Sequence, residues 1–583
     1  MDRRTIWAIL LMMVIAIAPA IFLKRPAPSG AAARRDSAAA AVSRDSSGQA
    51  AAAPRALAES TRVPAQDSVR VAPPASRTPP PGTASEDTIH ITSSLYSYGI
   101  SRRGARLVQA TLPQYRSMAP GDRGRPVQIL PPGSRLLGLT LVLGRDSIPL
   151  NDLEFSASAE SLVVSGPTSL RLGASRNGVA VDLTYTFHPD NYQIGISGNV
   201  TGVGPNGGLL LVGMGPTLAN TEADSNENHR ALALVTKHDE TERVDFAGLR
   251  PGEPKTVSGP LEWSAVKSKY FVTGILAFDS AGGGISGVTA TAAPPTGRRP
   301  TQADVKVSLP LPANGKFSYT VYAGPMEYDR LSRIGHGFND VNPYGWPGFR
   351  TVIRPLAAGV RWLLVWMHEH LHLAYGLVLI FFGILVRTLL WPLNQKAMRA
   401  NMQLQAVQPL MKEIQEKYKN DPQKVQQEMF KLYKEHGVNP LGGCWPMLLP
   451  MPVLFALFFV FQNTIELRGA SFLWLPDLSR PDPLYIIPVV MGLSMFGLSK
   501  VGQIGMEPNP QARMMLYIMP VMMTFLFLNF ASGLNLYYAV SNLASIPQQW
   551  LLARERRKRT AKAIVEVKTK DTETPARRAK RKA

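Results

Sequence analysis

The sequence predicts a polytopic α-helical membrane protein that carries a large all-β domain on its exported side. Three observations predict it. Six apolar runs, within residues 1–24 and at 372–392, 443–461, 484–500, 512–530 and 534–552, approach or reach the roughly 20 residues that cross a hydrocarbon core of about 30 Å. Between the first two runs, residues 86–345 change to a period of two with frequent Gly and Pro breaks, which is strand patterning. Past the last run, residues 554–583 carry thirteen Lys or Arg against four acids, which places that end in the cytoplasm. With six spans both termini share that side, the β-rich region is exported, and the polar stretch 394–440 is cytoplasmic.

Each segment has its own reason. Arg3 and Arg4 precede the first run, and Ala16-Ile-Ala18 resembles a small-x-small cleavage site. Pro19 follows directly and Ile21, Phe22 and Leu23 prolong the run, so an uncleaved anchor is expected over 1–24. Residues 25–85 are Ala, Pro, Ser and Arg with almost no large apolar side chain. They cannot bury enough surface to offset ordering entropy, and a disordered tether is expected. In the β region Val181, Leu183, Tyr185 and Phe187 alternate with Asp182, Thr184 and Thr186. A turn at Pro189–Asn191 follows, and Tyr192, Ile194 and Ile196 then alternate again. Many short strands of this kind make a large sandwich.

Residues 346–370 read as an amphipathic helix, with Val352, Leu356, Val360, Leu363, Leu364 and Met367 on one broad face and Arg350, Arg354 and Arg361 among the rest. Beside a span, such a helix is expected to lie in the membrane interface; a core helix of the β domain is the alternative. In 394–440, Val407, Leu410, Met411, Ile414 and Tyr418 follow helical spacing. Asn420-Asp-Pro422 breaks it, and Val425, Met429, Leu432 and Tyr433 resume it. That pattern is an antiparallel helical hairpin whose apolar faces close on one another.

Composition narrows the chemistry. A formal charge of +21 asks for a polyanionic partner: ribosomal RNA or anionic lipid at the tail and hairpin. The single cysteine, Cys444, excludes an intrachain disulfide and lies in an apolar run, where a buried thiol is the expectation. No nucleotide motif, acid pair or nucleophile triad stands out, so neither an enzyme nor a cofactor is expected. The residue that asks for a function is Arg387, inside the run 372–392. A central Arg costs about 2.5–3.5 kcal/mol on insertion scales, and such residues normally face a polar cavity or a partner. The competing reading is an Arg that snorkels to an interface marked by Trp391. Polar side chains recur in the other runs, at Gln462, Asn463, Ser494, Ser499, Asn529, Asn535, Ser541, Asn542, Gln548 and Gln549. They serve interhelical hydrogen bonds, line a wet groove with Arg387, or do both. Two alternatives stay open. His368, Glu369 and His372 form an H-E-x-x-H, which on a helix would suit an intramembrane zinc protease. A solute transporter is the other, although no internal repeat is visible.

Several stretches resemble the YidC/Oxa family of membrane protein insertases. They are ILVRTLLWPL at Ile384–Leu393, VNPLGGCWP at Val438–Pro446, PVLFAL at Pro452–Leu457 and SGLNLYYAVSN at Ser532–Asn542. More weakly, EWSAVKSKYF at Glu262–Phe271 and YAGP at Tyr322–Pro325 extend the resemblance into the β region, although the tether is longer than the family's pattern suggests. The resemblance implies a five-helix core enclosing a hydrophilic groove, a β-supersandwich in the periplasm, and residence in the bacterial inner membrane. It implies nascent membrane proteins as substrates, with the ribosome, the Sec translocon and its accessory subunits as partners and no small-molecule substrate. The groove arginine falls on Arg387, with Gln462, Asn463, Asn535 and Asn542 as candidate lining. The substrate-receiving hairpin falls on 394–440, with Met402, Val407, Met411, Met429 and Tyr433 as candidate contacts.

Overall fold

In the β region the alternation translates directly into paired strands. Strand Val179–Phe187 pairs antiparallel with Gln193–Thr201, setting Tyr185 opposite Ile196 and Phe187 opposite Ile194. Val181, Leu183, Tyr185 and Phe187 are buried, while Asp182 between the first two faces solvent. A computed structural model describes residues 87–176, 178–278, 284–294, 300–345, 350–395, 407–437, 451–505 and 510–571. These belong to one unit spanning 84–583. The anchor 1–24, the tether 25–85, Met402, Cys444 and the tail beyond 571 lie outside the described residues.

Two sheets form the β domain. One has eleven strands: nine run across from the edge strand 254–261 through 285–292, 303–311, 208–214, 136–143, 107–116, 97–101 and 88–92 to 161–163, and 126–128 and 146–149 pair off this path with 107–116 and 136–143. The other has nine, running from 241–245 through 233–237, 263–267, 271–276, 316–325, 193–201, 179–187 and 168–176 to 156–157. One continuous core joins their inner faces. Tyrosines pin the two sheets at their backbones: the Tyr98 hydroxyl of the first donates to the Ala323 carbonyl of the second at 2.7 Å. Tyr185 donates across to the Ala105 carbonyl at 2.8 Å. Phe338 meets Trp263 and Tyr322 edge-on, with centroids 5.2 and 5.7 Å apart. Gly315 turns the chain from strand 303–311 of the first sheet into strand 316–325 of the second at φ 71°, where a Cβ would run into the Val200 carbonyl, so only glycine fits.

The helices are α1 (Ser225–Ala231), α2 (Tyr328–Ile334), α3 (Arg350–Leu371), α4 (Tyr375–Leu389), α5 (Gln408–Lys417), α6 (Pro422–Glu435), α7 (Met451–Asn463), α8 (Ile486–Gly502), α9 (Pro510–Phe527) and α10 (Ser532–Asp571). The expected hairpin is α5 and α6. Asp421 accepts from the Lys424 amide at 3.1 Å to start α6, and Val407 and Leu432 are buried against Met411, Ile414 and Tyr433. Leu410, expected on that face, is exposed.

Among the described residues, no helix is long and apolar enough to cross a membrane, so the expected six spans are not seen as such. The reasons are local. At about 1.5 Å per residue, the fifteen residues of α4 rise roughly 22 Å, and the helix breaks at Leu390 before resuming over 391–395. Thirteen residues of α7 are described, α8 has seventeen, and α9 carries Gln511 and Arg513 in its first described turn. α10 runs for forty residues, but its first half carries Asn, Ser and Gln at intervals. These helices still pack as a bundle: α10 lies against both α4 and α8, α8 against α9, and α3 against α7. At Gly492 of α8 an added Cβ would strike Thr524 of α9, a close approach that small residues allow between apolar helices.

The helix expected over 346–370 is α3, but its faces differ from expectation. Ile353, Ala357, Val360, Arg361, Leu364 and Met367 are buried, while Val352, Trp362 and Trp366 are exposed. Arg361 is drawn inward by carboxylates that hydropathy cannot foresee.

Candidate functional site

Arg387 sits twelve residues into α4, about 18 Å along it from Tyr375. Its Nε donates to the Ser541 hydroxyl at 2.9 Å and to the Ser541 carbonyl at 3.2 Å. Ser541 lies on α10, and Gly383 lets the two helices meet, with the Val540 side chain only 3.2 Å from where its Cβ would be. Among the described residues Arg387 has no carboxylate partner and no hydrogen-bond partner besides Ser541. A guanidinium carries five N–H donors, so most of its capacity is left for something else.

Other expected groove residues spend their polarity on the bundle itself. The Asn542 amide donates to the Ser494 hydroxyl of α8 at 3.1 Å. Asn535 donates to the Phe527 carbonyl at 3.0 Å and closes the turn from α9 to α10, leaving its buried Oδ1 without a partner among the described residues. Gln548 donates to the Trp391 carbonyl at 3.0 Å, beside the break in α4. Along α10, then, successive polar side chains stitch α9, α4 and α8 together, and Arg387 meets that spine at Ser541.

Gln462 and Asn463 stand at the other end of the bundle, against the β domain. Asn463 donates to the Pro343 carbonyl at 3.1 Å, and its own carbonyl accepts from Asn342 at 3.3 Å. Asn342 in turn accepts from the ammonium of Lys267 on the β sheet at 2.7 Å. Burial, with Arg243 near by, holds the Lys267 amine well below the ordinary lysine range.

The sequence reading missed a set of ion pairs at this end. In each, the base comes from the helical side and the acid from the β domain. Arg354 pairs with Asp340 at 3.3 Å, Arg361 with Asp329, and Arg468 with Glu222 at 2.9 Å. Arg361 also bonds Glu466 at 2.7 Å, and burial pushes the Glu466 carboxyl up against the pull of that arginine. The available signal was the weaker stretch Glu262–Phe271. Its Lys267, Lys269 and Tyr270 engage Asn342, Glu227 and Ser479, and Arg468 lies over the rings of Tyr270 and Phe271.

The zinc reading does not survive the geometry. α3 ends at Leu371, and His372 follows in the left-handed region at φ 52°, so His368 and His372 do not share a helical face. His368 is engaged by the Leu373 carbonyl at 2.7 Å and stacked on Tyr375 at 4.0 Å. Among the described residues no three His, Cys, Asp or Glu side chains converge on a metal site.

On the hairpin, Val407 is buried, Met411, Met429 and Tyr433 are half-buried, and Tyr433 reaches the Met411 sulfur at 3.8 Å. Phe430, which sequence reasoning passed over, is exposed.

A two-sheet domain joined by ion pairs to a bundle of apolar helices describes a two-part membrane protein, and comparison with known proteins gives the same division. Residues 88–358 match the family described as YidC periplasmic domain, and residues 366–560 the one described as 60Kd inner membrane protein. The membrane protein insertase YidC of Chlorobaculum parvum is 31% identical over 508 residues, covering 80% of this chain and 82% of its own. That of Chloroherpeton thalassium is 30% identical over 536 residues, covering 85% and 87%. A crystal structure of active YidC insertase with its first transmembrane domain resolved aligns at a TM-score of 0.34 and 18% identity, covering 80% of this chain and 93% of that one. The chain belongs to the YidC family of inner membrane proteins, which are insertases and not enzymes.

Proposed function

We propose that the chain is an insertase and folding chaperone for nascent membrane proteins in the bacterial inner membrane. The polar tail of a substrate enters a groove at Arg387, which attracts its acidic groups in surroundings of lowered dielectric. The apolar segment then passes along the helices into lipid, whose burial of apolar surface supplies the free energy. The observation that carries this reading is the guanidinium of Arg387, set among apolar helices and bonded only to Ser541 among the described residues. Asn535 and Asn542, with Gln462 and Asn463 nearer the β domain, would line the path. The hairpin, with Met402, Val407, Met411, Met429 and Tyr433, would receive the substrate first.

The orientation we infer puts the β domain in the periplasm and both termini, the hairpin and the basic tail in the cytoplasm, with six spans including the anchor. Its support is connectivity. The segment after α7 packs on the β domain, so the helices α7, α8 and α10 each have one end there, and Arg387 and the hairpin lie toward the opposite end. The exposed Trp362 and Trp366 on α3 suit a helix lying in the headgroup region. Beyond the bundle α10 continues as a helix to Asp571 through a basic sequence, which suits ribosomal RNA or anionic lipid. Joint action with the Sec translocon and its accessory subunits completes the proposal and rests on the family alone. The test is to replace Arg387 with Ala and with Lys and measure insertion of a substrate with an acidic translocated tail. Loss with Ala and partial retention with Lys is the expected result; full insertion by Arg387→Ala would refute the arginine's role.

A further inference from the structure

The segment 464–485, between α7 and α8, is irregular in backbone, buries Ile465, Leu467, Leu475, Leu478 and Asp482, and gathers helix ends. Asp482 accepts from the amides of Leu484 and Ile487 at 3.0 and 2.7 Å and so caps the start of α8. The Arg480 and Leu478 carbonyls accept from the amides of Ser532 and Gly533 at 2.7 and 2.9 Å, satisfying the first orphan donors of α10. Thr464 bonds back to Val460 of α7 at 2.9 Å. On the α4 side, the Phe472 ring occupies the space that a Cβ on Gly376 would need. One loop therefore fixes the ends of α7, α8 and α10 and abuts the start of α4.

That loop is itself held by the β domain. Ile465 belongs to the β-domain core. The Tyr270 hydroxyl bonds the Ser479 hydroxyl at 3.2 Å. The strongest hold is Arg468. Its Nε meets both Glu222 oxygens at 2.9 and 3.1 Å, its Nη1 the Arg116 carbonyl at 2.8 Å and its Nη2 the Thr221 carbonyl at 2.9 Å. Thr221 also donates to Glu222 at 2.8 Å, which fixes the carboxylate. Both members of the pair are nearly buried, with side chains 4% and 7% exposed. A planar fork engaging a carboxylate and two carbonyls reads direction, which a lysine could not.

We propose that Arg468 is a positioning residue: it anchors the 464–485 loop to the β domain, so that the domain fixes the spacing of α4, α7, α8 and α10 around Arg387. This inference rests on the insertase reading, and it gives the β domain a mechanical part in insertion rather than that of a passenger. It acts through helix ends and touches no substrate, so it predicts loss of insertion without regard to the charge of the substrate's tail.

The test uses the full chain in lipid with Arg468→Ala, Arg468→Lys, Glu222→Gln and the swap Arg468→Glu with Glu222→Arg. Amide hydrogen exchange is read at 484–487 and 532–533, and insertion is read with an acidic-tailed and a neutral-tailed substrate. Arg468→Ala is expected to raise exchange at both helix starts by at least about tenfold while the hairpin α5–α6 is unchanged. Insertion of both substrates should fall together. Arg468→Lys and the swap should restore part of both readouts, and Glu222→Gln should reproduce a milder loss, which keeps the test open if Arg468→Ala does not fold. Unchanged exchange at the helix starts overturns the anchor. Raised exchange with undiminished insertion overturns its part in insertion. If wild type itself inserts neither substrate, the insertase reading falls, and the exchange pattern still decides the anchor.

Discussion

Arg468 and Arg387 are both arginines in apolar surroundings, and the two regions that hold them treat the charge in opposite ways. Around Arg468 the β domain supplies a carboxylate, two carbonyls and two aromatic faces, so the guanidinium is consumed by structure. Around Arg387 the bundle supplies, among the described residues, one serine on a neighbouring helix. A buried charge that is fully paired holds a fold together but has nothing left to offer. One that is barely paired is costly to keep, and its retention asks for a transient partner. The β-domain end of the molecule therefore reads as a fixed frame, and the middle of the bundle as the place where something arrives.

Substitutions can break this contrast directly. The largest effect belongs to the frame. Arg468→Ala strands a nearly buried Glu222, and removing one partner of such a pair costs about 3–5 kcal/mol. Arg387→Ala strands no carboxylate among the described residues and should lower the unfolding free energy by less than about 1 kcal/mol. Chemical denaturation of both variants in parallel checks this, and equal losses would erase the distinction between the two regions.

An intermediate effect comes from Lys267. Its folded amine titrates below the unfolded one, so between that lowered value and the ordinary lysine value of about 10.4 the unfolded chain binds the extra proton. Stability of the β domain should therefore rise with pH across that window, and Lys267→Met should flatten the rise. An unaltered slope in the variant would mean that Lys267 is charged in the fold. A small effect, of the same order as that of Arg387→Ala, is expected at the hydroxyl pair Tyr344 and Thr464, 3.2 Å apart, where Tyr344→Phe should lower the unfolding free energy by about 0.5–1.5 kcal/mol. A loss of several kcal/mol would show that the frame leans on this seam more than on its ion pairs.

How much of this could be read from the residues depends on the range of the interaction. Alternation at Val181–Phe187 is local and produced the strand pair that was expected. So did the break at Asn420–Pro422, which separates α5 from α6. The interruption within 372–392 was not legible, because an apolar run does not announce the break at Leu390. The H-E-x-x-H, carried only as an alternative to the insertase reading, fails for the same reason: the helix ends at Leu371, between its two histidines. Arg361 was assigned to the polar face because the partners that draw it in, Asp329 and Glu466, lie 32 and 105 residues away in the chain. Arg468 and Glu222 are 246 residues apart, and nothing in either neighbourhood marks the other. Arg387 was legible, since a charge in an apolar run is anomalous wherever the chain goes. Its partner Ser541 was one polar residue among ten in the runs.

The claim that Arg387 is held open for acidic groups of a substrate is tested most directly by a cross of two changes. Insertion is measured for wild type and Arg387→Ala, each with a substrate whose translocated tail carries acidic residues and with the same tail after Asp→Asn and Glu→Gln replacement. Arg387→Ala is expected to cut insertion of the acidic tail by about tenfold, the equivalent of 1.4 kcal/mol, and to leave the neutral tail within about twofold. Equal loss for both tails, or none for either, would contradict the account.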